Sequence, residues 1–202
     1  MKRLIILIVL FASVHSLPGV NDARAQAYTS GKLYVNAGVS FIYNGYRPNS
    51  LWYWNNYKYS FTPPLILSVE KGITDLFSAG VYATHRSYSW SYTTELGEYE
   101  NSHTRMSFGG RFSFHYADLM NELLDIGIPT DKVDLYLTGI LGLNVHKHSD
   151  KEPSIRRTTR DYGFFIGPIL GARYMLSNNF GVYIEGGRGS LGAANLGITI
   201  KL

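Results

Sequence analysis

The chain has 202 residues, one domain's worth, with 45% apolar but only 17% charged residues, 16 Tyr, 21 Gly and no Cys. Without cysteine, disulfide-stapled scaffolds, cysteine metal sites and thiol catalysis are excluded, and the wealth of aromatic and β-branched residues excludes disorder. The formal charge of +4 is mild and no Lys/Arg cluster forms a nucleic-acid stripe.

The first element is an address. Lys2 and Arg3 precede an unbroken apolar run from Leu4 to Ala12, too short to span a bilayer, and Ala23-Arg24-Ala25 supplies a small-residue cleavage site. Residues 1–25 therefore read as a signal peptide and 26–202 as the exported domain, with Ala25-Gln26-Ala27 as a second cleavage option.

From there the chain alternates with period two and helical periodicity is nearly absent. The first strand sets Leu33, Val35, Ala37, Val39 and Phe41 against Tyr34, Asn36, Gly38 and Ser40. The second and third begin at Leu65 and Phe77, with Glu70 and Arg86 on their polar faces. The fourth sets Met106, Phe108, Phe112 and Phe114 against Ser107, Arg111, Ser113 and His115. The fifth sets Leu135, Leu137, Leu141 and Leu143 against Asp134, Tyr136, Thr138 and Asn144. The sixth carries Phe164, Ile166 and Leu170 against Gly167, Gly171 and Arg173, with Pro168 mid-strand predicting a bulge. The seventh sets Phe180, Val182 and Ile184 against Tyr183 and Glu185, and the eighth Leu196, Ile198, Ile200 and Leu202 against Asn195, Gly197 and Lys201. Segments of about ten residues suit tilted transmembrane strands.

The connections alternate in length. Asn44–Thr62, Ser87–Thr104 and Lys147–Arg160 read as long loops; Gly72–Asp75, Ser177–Asn179 and Gly189–Gly192 as short turns. Ala117–Lys132 breaks the pattern. Leu119, Leu123 and Ile126 there recur at helical spacing, with Asp118 as a cap and Gly127 as a stop, so the segment predicts a short amphipathic helix. Long loops on one side and short turns on the other are the layout of an outer-membrane barrel, with both termini on the short-turn, periplasmic side.

Alternation alone does not say which face is inside. Volume decides, because an eight-stranded interior holds only side chains. The apolar face is crowded with Phe, Leu and Ile, while the other is mostly Gly, Ser, Thr and Asn with about one charge per strand, too few for a solvated surface. The sequence predicts an all-β, eight-stranded antiparallel transmembrane up-and-down β-barrel with long extracellular loops and short periplasmic turns, apolar side out.

The last residues, Asn195 to Leu202, resemble the C-terminal assembly signal of outer-membrane barrels, carried by Asn195, Gly197, Ile200 and Leu202, with Leu202 where the signal usually ends in an aromatic. Gly171-Ala172-Arg173-Tyr174 and Phe180-Gly181-Val182-Tyr183-Ile184-Glu185 look like the sixth and seventh strands of the small OmpA/OmpX-like outer-membrane β-barrel family. The resemblance implies a location in the outer membrane of a Gram-negative cell, insertion by the barrel-assembly machinery, and lipid and lipopolysaccharide as surroundings. It implies no single activity.

Lumen charges of opposite sign, Glu70, Arg111, Arg173 and Glu185, form a candidate ion-pair network: either a plug or a polar conduit. Arg173 and Glu185 lie on adjacent strands within diagonal reach. His146 and His148, with Asp150, form an i, i+2 loop pair, and no metal site is predicted. Ser113 and His115 sit near the periplasmic end, the wrong leaflet for lipid A chemistry, so no catalytic residue and no cofactor is predicted. All three Trp fall in the first two long loops or at their edges. Part of this aromatic content suits an interfacial girdle. Trp52, Tyr53 and Trp54 beside Asn49, Asn55 and Asn56, together with Trp90, also suit a surface that grips a glycan or protein. The third loop, with Arg156, Arg157 and Arg160, suits lipopolysaccharide phosphates. The predicted function is that of a small structural or adhesive outer-membrane protein acting at the cell surface through aromatic-rich loops. The alternatives are a narrow channel and, behind it, a lipid-modifying enzyme.

Overall fold

The computed structural model describes residues 26–41, 58–152, 155–188 and 193–202. Eight strands, β1 (Leu33–Phe41), β2 (Lys58–Gly72), β3 (Phe77–Thr94), β4 (Gly97–His115), β5 (Val133–Lys151), β6 (Arg156–Met175), β7 (Phe180–Gly187) and β8 (Ala194–Lys201), follow one another with a single helix, α1 (Ala117–Leu124), between β4 and β5. Each strand pairs antiparallel with the next, and β8 returns to β1, from Tyr34↔Lys201 to Phe41↔Ala194. Closure leaves no sheet edge among these strands, so the ladder satisfies the backbone groups inside the sheet, as a lipid setting requires.

The alternation sorts the two faces. Phe108, Phe112, Leu137, Leu141, Leu143, Phe164, Ile166 and Ile184 point outward and are exposed. Their neighbours Ser107, Arg111, Ser113, Thr138, Arg173 and Glu185 are buried inside. Leu141 is 48% exposed and Thr138 0%. Above Met106 and Val145 the outward positions turn to Thr104, Ser102, Lys147 and Ser149, so the lipid-facing band ends there. No helix among the described residues is long and apolar enough to cross a membrane; the strands do the crossing.

The segments expected as the second and third long loops are ladders instead. β3 and β4 pair from Phe77↔Phe114 without a break to Thr94↔Gly97, joined through Glu95 and Leu96, with Gly97 at φ 126°. β5 and β6 pair up to Lys151↔Arg156. Strands of 18–20 residues thus rise well past the bilayer as β-ribbons. Residues 42–57, with most of the first loop, lie outside the described residues, as do the expected signal peptide and Gly189–Gly192.

Two further expectations change. The bulge is not at Pro168, where the β5–β6 register runs through Gly139↔Pro168 without a shift. The Pro168 carbonyl accepts from Arg188 N at 2.9 Å, so its donor-less nitrogen faces β7 where that ladder ends, at Ile169↔Gly187. The bulge lies instead between Thr62 and Leu65 of β2, where Pro63 and Pro64 could not have completed a ladder. The helix is present but its caps differ. Tyr116 is the N-cap without a side-chain bond, Asp118 sits in the first turn, and Asp125 in the left-handed region (φ 50°) ends it before Gly127.

The short-turn end is corked by the chain's own first described residues. Ala27 and Tyr28 are buried. Tyr28 Oη donates to the carbonyls of Thr74 and Phe77 at 2.8 and 2.6 Å, and its ring stacks on His115 with centroids 3.5 Å apart. Ala27 N donates to Thr130 O, and Lys201 Nζ to Gln26 O.

Candidate functional site: the charged lumen and the aromatic mouth

The middle of the barrel is a continuous polar network. Arg111 on β4 lies 3.1 Å from Glu70 Oε1 on β2 through Nε, and donates from Nη2 to Glu185 Oε1 on β7 at 2.7 Å. Arg173 on β6 pairs with Asp134 Oδ2 on β5 at 2.9 Å, and its second nitrogen is 4.0 Å from Glu70. All five side chains are almost fully buried. Charges at such sites are sustainable only when paired and hydrogen-bonded. Glu70 receives Asn36 Nδ2, Ser78 Oγ and Ser113 Oγ at 3.1, 3.1 and 2.7 Å. Glu185 receives Tyr136 Oη and Asn195 Nδ2 at 3.1 and 3.2 Å. The Arg173 guanidinium lies over the Tyr34 ring at 4.5 Å.

The structure brings Glu70, Arg111, Arg173 and Glu185 into this one cluster, but with different partners from the adjacent-strand pair expected. Glu185 sits opposite Gly171, over which the Tyr136 ring lies, and reaches Arg111 across the bore. Arg173 turns to Asp134, directly opposite on β5. The glycine gaps are filled by tyrosines: Tyr82 Oη lies over Gly142, and Tyr183 over Gly38. Higher up, Tyr82, Ile140, Ile169 and Phe165 pack together. The bore is filled with side chains at this level.

One constellation was not legible in the sequence. His115 Nδ1 lies 2.8 Å from Asp134 Oδ1 and its Nε2 2.9 Å from Ser78 Oγ, the connectivity of a Ser-His-Asp triad. Ser78 is on β3, His115 on β4 and Asp134 on β5, so only register reveals it. Its surroundings do not suit acyl transfer. The Ser78 hydroxyl faces the Glu70 carboxylate at 3.1 Å, a negative charge beside the place where an oxyanion would form. Ser78 is 1% exposed and Tyr28 covers His115. Here the three residues extend the ion-pair network.

At the other end, the ribbons present aromatic rings on the face continuous with the lumen. Tyr88, Trp90 and Tyr92 of β3 take the inner parity, while Ser87, Ser89 and Ser91 face outward. The Pro63–Pro64 bulge flips the parity of β2, because one extra residue moves every later side chain to the other face. Phe61 thereby falls opposite Tyr88, and Tyr59 opposite Trp90. Trp90 stacks on Tyr92 at 5.8 Å, Tyr92 on Tyr99 at 5.0 Å and Tyr88 on His103 at 4.7 Å. A girdle ring would face lipid; these face the axis. Trp90 therefore sits on a strand, at the mouth, whereas Trp52, Tyr53 and Trp54 lie outside the described residues. His146 and His148 share a face as expected, with His103 between them in the stack, and among the described residues no group of three or more His, Asp or Glu is arranged to hold a metal.

Of the residues resembling an assembly signal, Asn195 bonds Ser40 and Glu185 inside, Gly197 lies under the Tyr183 ring, and Ile200 and Leu202 are exposed on the lipid side.

A barrel closed on itself, apolar outside and ion-paired inside, defines the class: an integral eight-stranded outer-membrane β-barrel. No protein-family model matches the chain, and no curated protein does. Among solved structures it is similar to the outer membrane protein OprG from Pseudomonas aeruginosa, at 11% identity and a TM-score of 0.48, over 90% of this chain and 99% of that one. It is also similar to the N-terminal β-barrel domain of Pseudomonas aeruginosa OprF, at 12% identity and a TM-score of 0.40, over 86% and 98% of the two chains. A third is Ail, the attachment invasion locus protein of Yersinia pestis, in complex with the heparin analogue sucrose octasulfate, at 13% identity and a TM-score of 0.43, over 86% and 96%. The likeness is one of barrel architecture.

Proposed function

We propose that this barrel is a closed scaffold whose work is done at its outer end, where it grips a glycan or protein surface through aromatic residues. The observation that carries this reading is the aromatic inner face of the ribbons, Tyr59, Phe61, Tyr88, Trp90, Tyr92 and Tyr99, standing above the lipid band. Rigid amphipathic rings give contact area at little entropic cost. Trp52, Tyr53 and Trp54, which lie between β1 and β2 in sequence, enter this reading through their composition alone. The filled lumen favours a scaffold over a channel, and the Ser78–His115–Asp134 surroundings favour a binding protein over an enzyme. In this reading residues 1–25 are an address removed before assembly, and the end of β8 is read by the barrel-assembly machinery.

The test is adhesion of cells displaying the protein to immobilised glycans and host-cell proteins. The double variant Trp52→Ser/Trp54→Ser and the single variant Trp90→Ser are each expected to lower adhesion at least fivefold at equal surface display. Adhesion unchanged in both variants would contradict the reading.

A further inference from the structure

The outward face of the ribbons changes character just above the lipid band. The first outward row there runs Thr62 of β2, Ser87 of β3, Thr104 of β4, Lys147 of β5 and Arg160 of β6. The next row, from Ser60 to Thr158, is hydroxyl throughout. Two cations thus stand side by side in a belt of hydroxyls, one row above the Val145↔Tyr162 pair. Both are exposed.

Like charges directly opposite one another on paired strands repel. Among the described residues neither Lys147 nor Arg160 has a hydrogen-bond or ion-pair partner. The nearby carboxylates are turned away or engaged. Asp150 and Asp161 take the inner parity, and Glu100, two rows higher, lies 3.9 Å from Lys151. Arg157, expected to meet phosphates beside Arg160, stands opposite Asp150 and takes the inner parity as well.

Directly below Arg160 on the same strand an apolar stripe descends into the band. Tyr162, Phe164 and Ile166 are 72%, 68% and 72% exposed, against 48% for Leu141 on the neighbouring strand. Beside Lys147, Ser102, Thr104 and Ser149 line a shallow polar groove, and Ser149 bonds Thr158 of β6 at 3.2 Å.

We propose that this face binds the phosphorylated sugar head of an outer-leaflet glycolipid of the lipid A type. Its phosphate lies between Lys147 and Arg160, and an acyl chain runs down Tyr162, Phe164 and Ile166. The guanidinium fork matches phosphate oxygens, the ammonium adds a point charge, and the anion relieves the repulsion between the two cations. Basic clusters at a membrane surface select anionic head groups in this way. Exposed ion pairs are weak by themselves, so the phosphate fixes the position while buried chain area supplies the hold. The hydroxyls on either side favour a phosphate carried on a sugar over a phosphatidyl head. None of the rings of the mouth takes part, so this site stands or falls apart from the adhesive surface.

The experiment is native mass spectrometry of the refolded full barrel in detergent micelles, titrated with bisphosphorylated lipid A, lipid A stripped of both phosphates, and phosphatidylglycerol. One bisphosphorylated lipid A per barrel is expected to bind at least tenfold more tightly than either of the others. The double variant Lys147→Gln/Arg160→Gln weakens it at least tenfold. Lys58→Gln, on the outward face of β2, leaves it within twofold. Each variant is first confirmed as folded by its heat-shifted gel mobility. Three results would each overturn the proposal: stripped lipid A or phosphatidylglycerol binding as tightly as the bisphosphorylated lipid, the double variant binding as wild type, or Lys58→Gln weakening binding as much as the double variant.

Discussion

At the scale of single residues, the lumen is held by charges that cannot be removed one at a time. Glu185 compensates Arg111 at 2.7 Å and is 1% exposed. Truncating it leaves a buried guanidinium short of one of its two carboxylates, which costs about 3–5 kcal/mol. Glu185→Ala should therefore lower the stability of the refolded barrel by that amount in urea unfolding from lipid vesicles. A loss below about 1 kcal/mol would mean that the pair is solvated and the lumen wetter than described. The identities of these residues were legible from alternation alone, since Glu70, Arg111, Arg173 and Glu185 all fall on the polar face. Their partners were not. Period and pairing order give neighbours along the sheet, whereas Arg111 reaches Glu185 from β4 to β7, across the bore. That contact depends on barrel curvature and on where Tyr136 lies, neither of which a linear pattern contains. Ser78, His115 and Asp134, on three consecutive strands, were hidden for a different reason: only the strand register sets them within reach of one another.

At the scale of elements, all eight strands were visible in the sequence, because each has one lipid-facing and one lumen-facing side. Strand length was not. The expectation of about ten residues comes from bilayer thickness, and it ends each strand where outward positions stop being apolar. The ribbons continue with polar residues outside, and Ser87-Tyr88-Ser89-Trp90-Ser91-Tyr92 still alternates with period two. That signal was present but had the opposite polarity. Pro63–Pro64 marked the bulge in the same way, since proline fits such an irregularity better than it fits a paired strand. Amide hydrogen exchange separates a ribbon from a loop. Ladder amides between Ser87–Ser91 and Glu100–Thr104 should be protected at least a hundredfold over those of an unstructured segment. Exchange at unprotected rates would return this stretch to a loop and remove the walls of the mouth.

At the scale of the whole molecule, three layers stack along the axis. The first described residues cork the short-turn end through Tyr28 and Ala27. An ion-paired, tyrosine-filled middle follows, and above it the ribbons form a mouth of aromatic rings. This order argues for a pillar that carries a binding surface: eight strands enclose a space that side chains fill, and here Tyr34, Tyr136, Arg111 and Arg173 fill it. The most direct test is single-channel recording of the refolded barrel in a planar bilayer, with folding confirmed by heat-shifted mobility on the same sample. The account predicts a silent membrane. Discrete, reproducible conductance steps would show an open path through the Arg111–Glu185 layer and contradict it.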